Sequence, residues 1–211
     1  MPRLKAPQRR EQLIEVASKL FAERGYEATT TKEIARAAGV TEPILYRHFK
    51  GKQQLFVAIV RVKSERTFAD WRELIGSEGN PAVQIRRLAG EFPDHIRKLA
   101  DAYRIIHGAL ATAGHWQHLA DHSGNSAERA ANREIIDVLR EHYAQIEKFF
   151  CSIIAKGQKA RVFSRKMDPH VPAWQLINMG IGYAMVSLGL EEFEDRLTGE
   201  GVEFILRAMK V

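Results

Sequence analysis

The order of apolar and polar positions predicts helices from the first residues onward. Leu13, Ala17, Leu20 and Phe21 recur at i, i+4, i+7 and i+8, one face of a helix running from about Pro7 to Arg24, with Gly25 as its stop. Thr30 followed three residues later by Glu33 reads as a capping box that opens a short helix through Ala38, ended by Gly39. After Val40, Thr41 can cap another helix, with Pro43 tolerated in its first turn because the missing N–H has no helical partner there. Ile34, Ala38, Val40, Leu45 and Phe49 supply the apolar contacts between the two short helices, and Ala35 and Gly39 are small where they approach. The arrangement predicted is a helix-turn-helix, whose second helix is shaped to enter a major groove.

From Lys52 onward the pattern is one of long helices separated by breaks at Gly76 to Pro81, His122 to Asn125, Gly157 to Pro172 and Thr198 to Gly201. The clearest of them spans about Ser126 to Lys156, with Ile135, Leu139, Tyr143, Ile146, Phe150 and Ile153 at alternating spacings of four and three. No strand alternation is present, and the expected fold class is all-α. Residues 1–52 are expected to form a three-helix DNA-binding domain and residues 53–211 a helical body that binds a ligand and dimerises.

Charge sharpens this division. Residues 1–52 hold eleven Lys/Arg against six Asp/Glu, and residues 53–211 hold twenty-one against twenty, so nearly all of the net +6 lies in the first quarter of the chain. A basic module on a near-neutral body suits a polyanion, because neutralising phosphates releases counterions. The stretch Val171 to Leu190 has no charge over about twenty residues, the length of a membrane span. Pro172, Gln175, Asn178, Ser187 and three glycines, with no flanking basic cluster, favour a buried helix instead. A lone cysteine, Cys151, and a start at Met1-Pro2-Arg3 without an apolar signal stretch give a reducing cytoplasm as the expected location.

The segment Thr30 to Leu55, TTKEIARAAGVTEPILYRHFKGKQQL, resembles the DNA-binding signature of the tetracycline-repressor (TetR) family. Thr30/Thr31, Ile34-Ala35, Ala38-Gly39-Val40, Leu45-Tyr46, His48-Phe49, Lys52 and Leu55 fall at the family's spacing, as do Phe21, Gly25 and Tyr26 before them. The resemblance implies a homodimeric, effector-responsive regulator, usually a repressor, acting on a palindromic operator in double-stranded DNA. It puts Tyr46, His48 and Lys52, joined by Lys32 and Thr41, on phosphates, for which their side chains are competent donors. Base reading then falls to Glu42, Pro43, Ile44 and Arg47: Arg47 can pair with guanine, Glu42 can accept from cytosine N4, and Pro43 or Ile44 can touch a thymine methyl. The alternative for Glu42 is that its charge only favours a helix N-terminus.

The resemblance also implies a dimer built from the last two helices as a four-helix bundle. Ala173, Ile177, Gly180, Ala184 and Ser187 form a small-residue seam suited to that close approach, with Thr198 to Lys210 as the partner helix; packing within one chain is the other reading. Trp71, Phe92, Tyr103, His107, Trp116, Phe150 and Trp174 are candidates to line a pocket for a flat or hydrophobic organic effector, or else are core. No cofactor is implied. His115, His118 and His122, beside Asp121, have metal-like spacing, but no nucleophile or base converges with them. A metal-dependent enzyme is therefore the competing class, and an effector-independent DNA binder the competing regulator.

Overall fold

In a computed structural model, residues 4–76, 79–111, 113–122, 124–189 and 196–210 are described. Among them the chain is helical, without strands. The helices are α1 (Ala6–Arg24), α2 (Thr31–Ala37), α3 (Glu42–Tyr46), α4 (Lys52–Ile75), α5 (Pro81–Lys98), α6 (Ala100–Ala111), α7 (Ala113–His122), α8 (Ser126–Lys159), α9 (His170–Gly189) and α10 (Arg196–Ala208). No helix of the described residues is long and apolar enough to cross a membrane. The chain divides into two compact units, one of Met1–Ser64 with Asp101–Glu141 and one of Glu65–Ala100 with His142–Val211.

The first unit holds α1 to α3. Leu13, Ala17 and Phe21 of α1, Ile34 of α2, Leu45 of α3 and Phe49 after it are all buried, as their spacing predicts. Each of these leucine, isoleucine and phenylalanine side chains contributes roughly 1.5–3 kcal/mol when withdrawn from water. Tyr26 extends this core: its ring lies 5.4 Å from Phe21, 5.2 Å from Phe56 and 4.9 Å from Trp116 of α7.

In the second unit α10 packs on α5 and α9. Phe68, Trp71, Ile85, Leu88, Ile153, Phe163, Leu176 and Leu206 fill its core. The N-terminus of α5 is capped by Asn80, whose side chain accepts from the Ala82 N–H at 2.9 Å, with Pro81 at the first helical position.

The expected break at Gly157 to Pro172 is present but shorter, residues 160–169, and the one at Thr198 to Gly201 is absent. Helix α8 runs through Gly157 to Lys159, and α9 starts at His170 with Pro172 in its first turn, where proline costs no hydrogen bond. Gly157 is a point of close approach: a Cβ there would sit 2.1 Å from the Phe163 ring, which the following loop folds back onto the helix. The loop is held by Gln158 Nε2, which donates to the Ser164 and Met167 carbonyls at 2.9 and 2.7 Å, and by the Ser164 N–H, which donates to Met209 O at 2.8 Å. Thr198 to Gly201 likewise lies inside α10, and a Cβ on Gly201 would meet Met179 Sδ at 2.7 Å. Gly201 marks a position where a neighbour needs the space and not a helix end.

Gly157→Ala is therefore expected to destabilise the protein by an overpacking cost of about 1–3 kcal/mol. Gly90→Ala, on an exposed position of α5 with open space around it, is expected to stabilise by about 0.5–1 kcal/mol. Thermal unfolding of the two variants beside the wild type checks both signs.

Candidate nucleic-acid interface

The helix-turn-helix is built by local hydrogen bonds that the sequence specifies. The Thr30 hydroxyl accepts from the Glu33 N–H at 3.2 Å, and a Glu33 carboxylate oxygen accepts from the Thr30 N–H at 2.9 Å. The Thr30 N–H and the Thr30 hydroxyl, which donates to the same oxygen at 2.8 Å, hold the Glu33 carboxyl below its ordinary pKa, with Arg24 adding attraction from 3.4 Å. Past α2 the chain reverses at Gly39, φ +66°, where the Val40 N–H donates to Ala35 O at 2.9 Å. That 6→1 bond with a left-handed glycine is the Schellman arrangement, and any other residue there would be strained.

Thr41 takes the N-cap of α3 in extended conformation, but its side chain makes no capping bond. Side chains tie α3 to α2 instead: Thr31 Oγ1 donates to Glu42 Oε1 at 2.6 Å and also lies 3.2 Å from the Tyr46 hydroxyl. One hydroxyl on α2 thus pins both ends of α3. The role of Thr31 was not read from the sequence, although its place beside the cap Thr30 is visible there.

The expected DNA contacts separate into three groups. Lys32, Thr41, Pro43, Tyr46 and Arg47 are exposed on α2 and α3, as is Lys50 just beyond. Ile44 and His48 are half-buried. Glu42 has one carboxylate oxygen tied to Thr31 Oγ1 within the chain. Lys52, expected on phosphate, points inward: its Nζ donates to Tyr26 O at 2.9 Å and Glu27 O at 3.4 Å and sits 4.2 Å from the Tyr26 ring centre. Burial lowers its pKa, Glu27 opposing. It clamps the α1–α2 loop to the start of α4.

The body residues sort differently from the expectation. Ala173, Ile177 and Ala184 are buried within the second unit, Gly180 faces the Phe92 ring, and the Ser187 hydroxyl donates to Ala184 O at 3.5 Å. The seam of α9 therefore packs inside its own chain, because a small-residue face satisfies α5 and α10 of the same unit as well as it would a second copy. The other face of α9 is open: Val171, Trp174 and Met185 are 57%, 39% and 55% exposed, as is Phe204 of α10 at 75%.

Of the pocket candidates, Tyr103, His107 and Trp116 belong to the first unit and Trp71, Phe92, Phe150 and Trp174 to the second. Tyr103 stacks on His107 at 5.6 Å, and burial depresses the His107 pKa. Trp116 packs on Tyr26. Trp71 lies 5.9 Å from Phe150, Phe92 lies 5.7 Å from Tyr183, and the exposed Trp174 donates its indole N–H to Glu147 Oε1 at 2.8 Å.

The three histidines of α7 are exposed, but do not converge. His118 and His122 stack at 4.9 Å, His115 lies beside Trp116, and Asp121 is taken by Arg133 and Gln117. No group of three metal-capable side chains is found among the described residues.

Residues 13–59 match the model of the bacterial regulatory proteins of the tetR family. The chain is 34% identical over 104 residues to the transcriptional activator FasR of Mycolicibacterium smegmatis, a match spanning 49% of this chain and 48% of that protein. It is 28% identical over 160 residues to the transcriptional repressor KstR2 of Mycobacterium tuberculosis, covering 76% and 72%. The solved structure of KstR2 superposes with a TM-score of 0.65 at 20% identity over 99% of this chain and 97% of that one. The helix-turn-helix of residues 13–59 is thus that of the tetR family of bacterial regulatory proteins, and the fold is matched along its length by a solved transcriptional regulator.

Proposed function

We propose that the protein is a cytoplasmic repressor that binds a palindromic operator as a homodimer and leaves it when the body takes up a small, apolar or aromatic effector. The observation that carries this reading is the frame of α2 and α3, which displays Lys32, Pro43, Tyr46 and Arg47 while Ile34, Leu45 and Phe49 are buried behind them. In this reading residues 1–52 do the DNA recognition and residues 53–211 the dimerisation and effector binding. Family members bind DNA and typically act as dimers; of the two relatives above, the longer match is to a repressor.

Contacts divide by chemistry. Lys32, Tyr46, Lys50 and the half-buried His48 hold phosphates, which fixes register without reading sequence. Arg47 reads guanine through O6 and N7, and Pro43 or Ile44 meets a thymine methyl. Lys52 acts through the loop it clamps. The open face of α9 and α10, with Val171, Trp174, Met185 and Phe204, is where the second copy sits: α9 carries no Asp, Glu, Lys or Arg, and four large apolar side chains are exposed. Two-fold pairing there sets the two recognition helices on major grooves about 34 Å apart.

For an effector to release DNA it must bind the DNA-incompetent arrangement more tightly than the competent one; a tenfold preference is worth about 1.4 kcal/mol per site.

Operator affinity is expected to fall steeply with salt, by about a thousandfold or more between 50 and 200 mM if some six phosphates are contacted. Arg47→Ala is expected to relax preference at one base pair per half-site at a cost of about 1–3 kcal/mol. Glu42→Gln is expected to keep the base preference of the wild type, because its carboxylate serves Thr31. Lys50→Ala should weaken all duplexes alike with no loss of thermal stability, whereas Lys52→Ala should lose both. Fluorescence anisotropy across a salt series on operator and scrambled duplexes, with melting curves alongside, checks each; salt-insensitive binding would contradict the reading.

Phe204→Glu is expected to yield a folded monomer by sedimentation that no longer binds the full palindrome tightly. A Phe204→Glu protein that sediments as a dimer would move the interface elsewhere.

A further inference from the structure

Within the second unit, α4 and α5 enclose a cleft of about 210 Å³. Trp71, Leu88 and Phe92 form its apolar walls, and Asp70, His95 and Lys98 its polar side. Asp70 Oδ2 is buried and accepts no hydrogen bond. Lys98 Nζ stands 3.7 Å from it, close enough to attract the carboxylate and too far to donate a hydrogen bond. The Lys98 side chain is 63% exposed, so an ion pair of this kind holds it weakly. His95 lies with its ring 6.0 Å from Trp71, and burial, the largest influence on it, lowers its pKa. Burial thus disfavours its charged form, Asp70 opposing. Of the other charged groups at the cleft, Asp94 is engaged by Arg97 at 2.6 Å and Glu91 is exposed on the rim.

Aromatic walls beside an under-bonded carboxylate suit one ligand chemistry. An anion would meet Asp70 and Glu91, and a purely apolar molecule would leave the carboxylate oxygen unpaired. A cation with an apolar ring satisfies both, since its N–H groups give charge-assisted bonds and its charge is attracted to an indole face. We propose that the cleft binds a small organic ammonium, which donates to Asp70 in the place of Lys98 and lays its ring against Trp71 and Phe92. The proposal rests on the reading above that the body takes an effector, and names its class.

Displacement of Lys98 makes the two residues respond oppositely. Titration calorimetry of the full chain at pH 7 with phenethylammonium, 2-phenylethanol and phenylacetate is expected to show the ammonium bound at least tenfold more tightly than the neutral alcohol, and phenylacetate not at all. Asp70→Asn should weaken the ammonium at least tenfold, and Lys98→Met should strengthen it several-fold; circular dichroism establishes that both variants fold. Equal affinity for the alcohol and the ammonium, no binding of phenethylammonium at millimolar concentration, or an Asp70→Asn protein that binds it like the wild type would overturn the proposal. The readout contains no DNA, so it stands or falls separately from the effector reading. Operator release by a bound ammonium supports both, and binding without release leaves the cleft's ligand class standing while removing its effector role.

Discussion

A five-residue helix has no stability of its own, so α3 exists only because its surroundings fix it. Two constraints do this. Gly39, in left-handed conformation, reverses the chain tightly enough for Leu45 and Phe49 to reach the core beside Ile34. Thr31 then ties Glu42 and Tyr46 from the neighbouring helix. The side chains offered to DNA inherit their positions from that turn, and recognition of bases needs such positions to be held before the duplex arrives.

This part of the fold is legible in the sequence because its determinants are local. A capping box, a glycine stop and an apolar period each lie within a few residues and have one structural meaning. Lys52 was less legible: an ammonium on a basic module reads as a phosphate ligand, and only the folded chain brings the Tyr26 and Glu27 carbonyls to it from twenty-five residues away. Glu42 is similar, since its partner Thr31 comes from another helix.

The body is harder to read for a physical reason. A small-residue seam such as Ala173, Ile177 and Ala184 marks close helix approach without saying whether the approaching helix belongs to the same chain. Here α5 and α10 take it, and the apolar stripe on the opposite side of α9 is left in water. One glycine behaves alike: Gly201 reads as a break because distant Met179, for which it makes room, cannot be seen in a local window. The aromatic residues that suggested one pocket are divided between two units, with Trp116 committed to Tyr26 beneath the DNA-binding helices.

The central claim is that α3 reads the major groove of a two-fold symmetric site. Dimethyl sulfate protection on a duplex selected from a random pool by the purified protein tests it directly, because the reagent attacks guanine N7 in the major groove and adenine N3 in the minor. The account predicts protection of guanine N7 in two symmetric patches about one helical turn apart. Protection confined to adenine N3, or a single asymmetric patch, would contradict it.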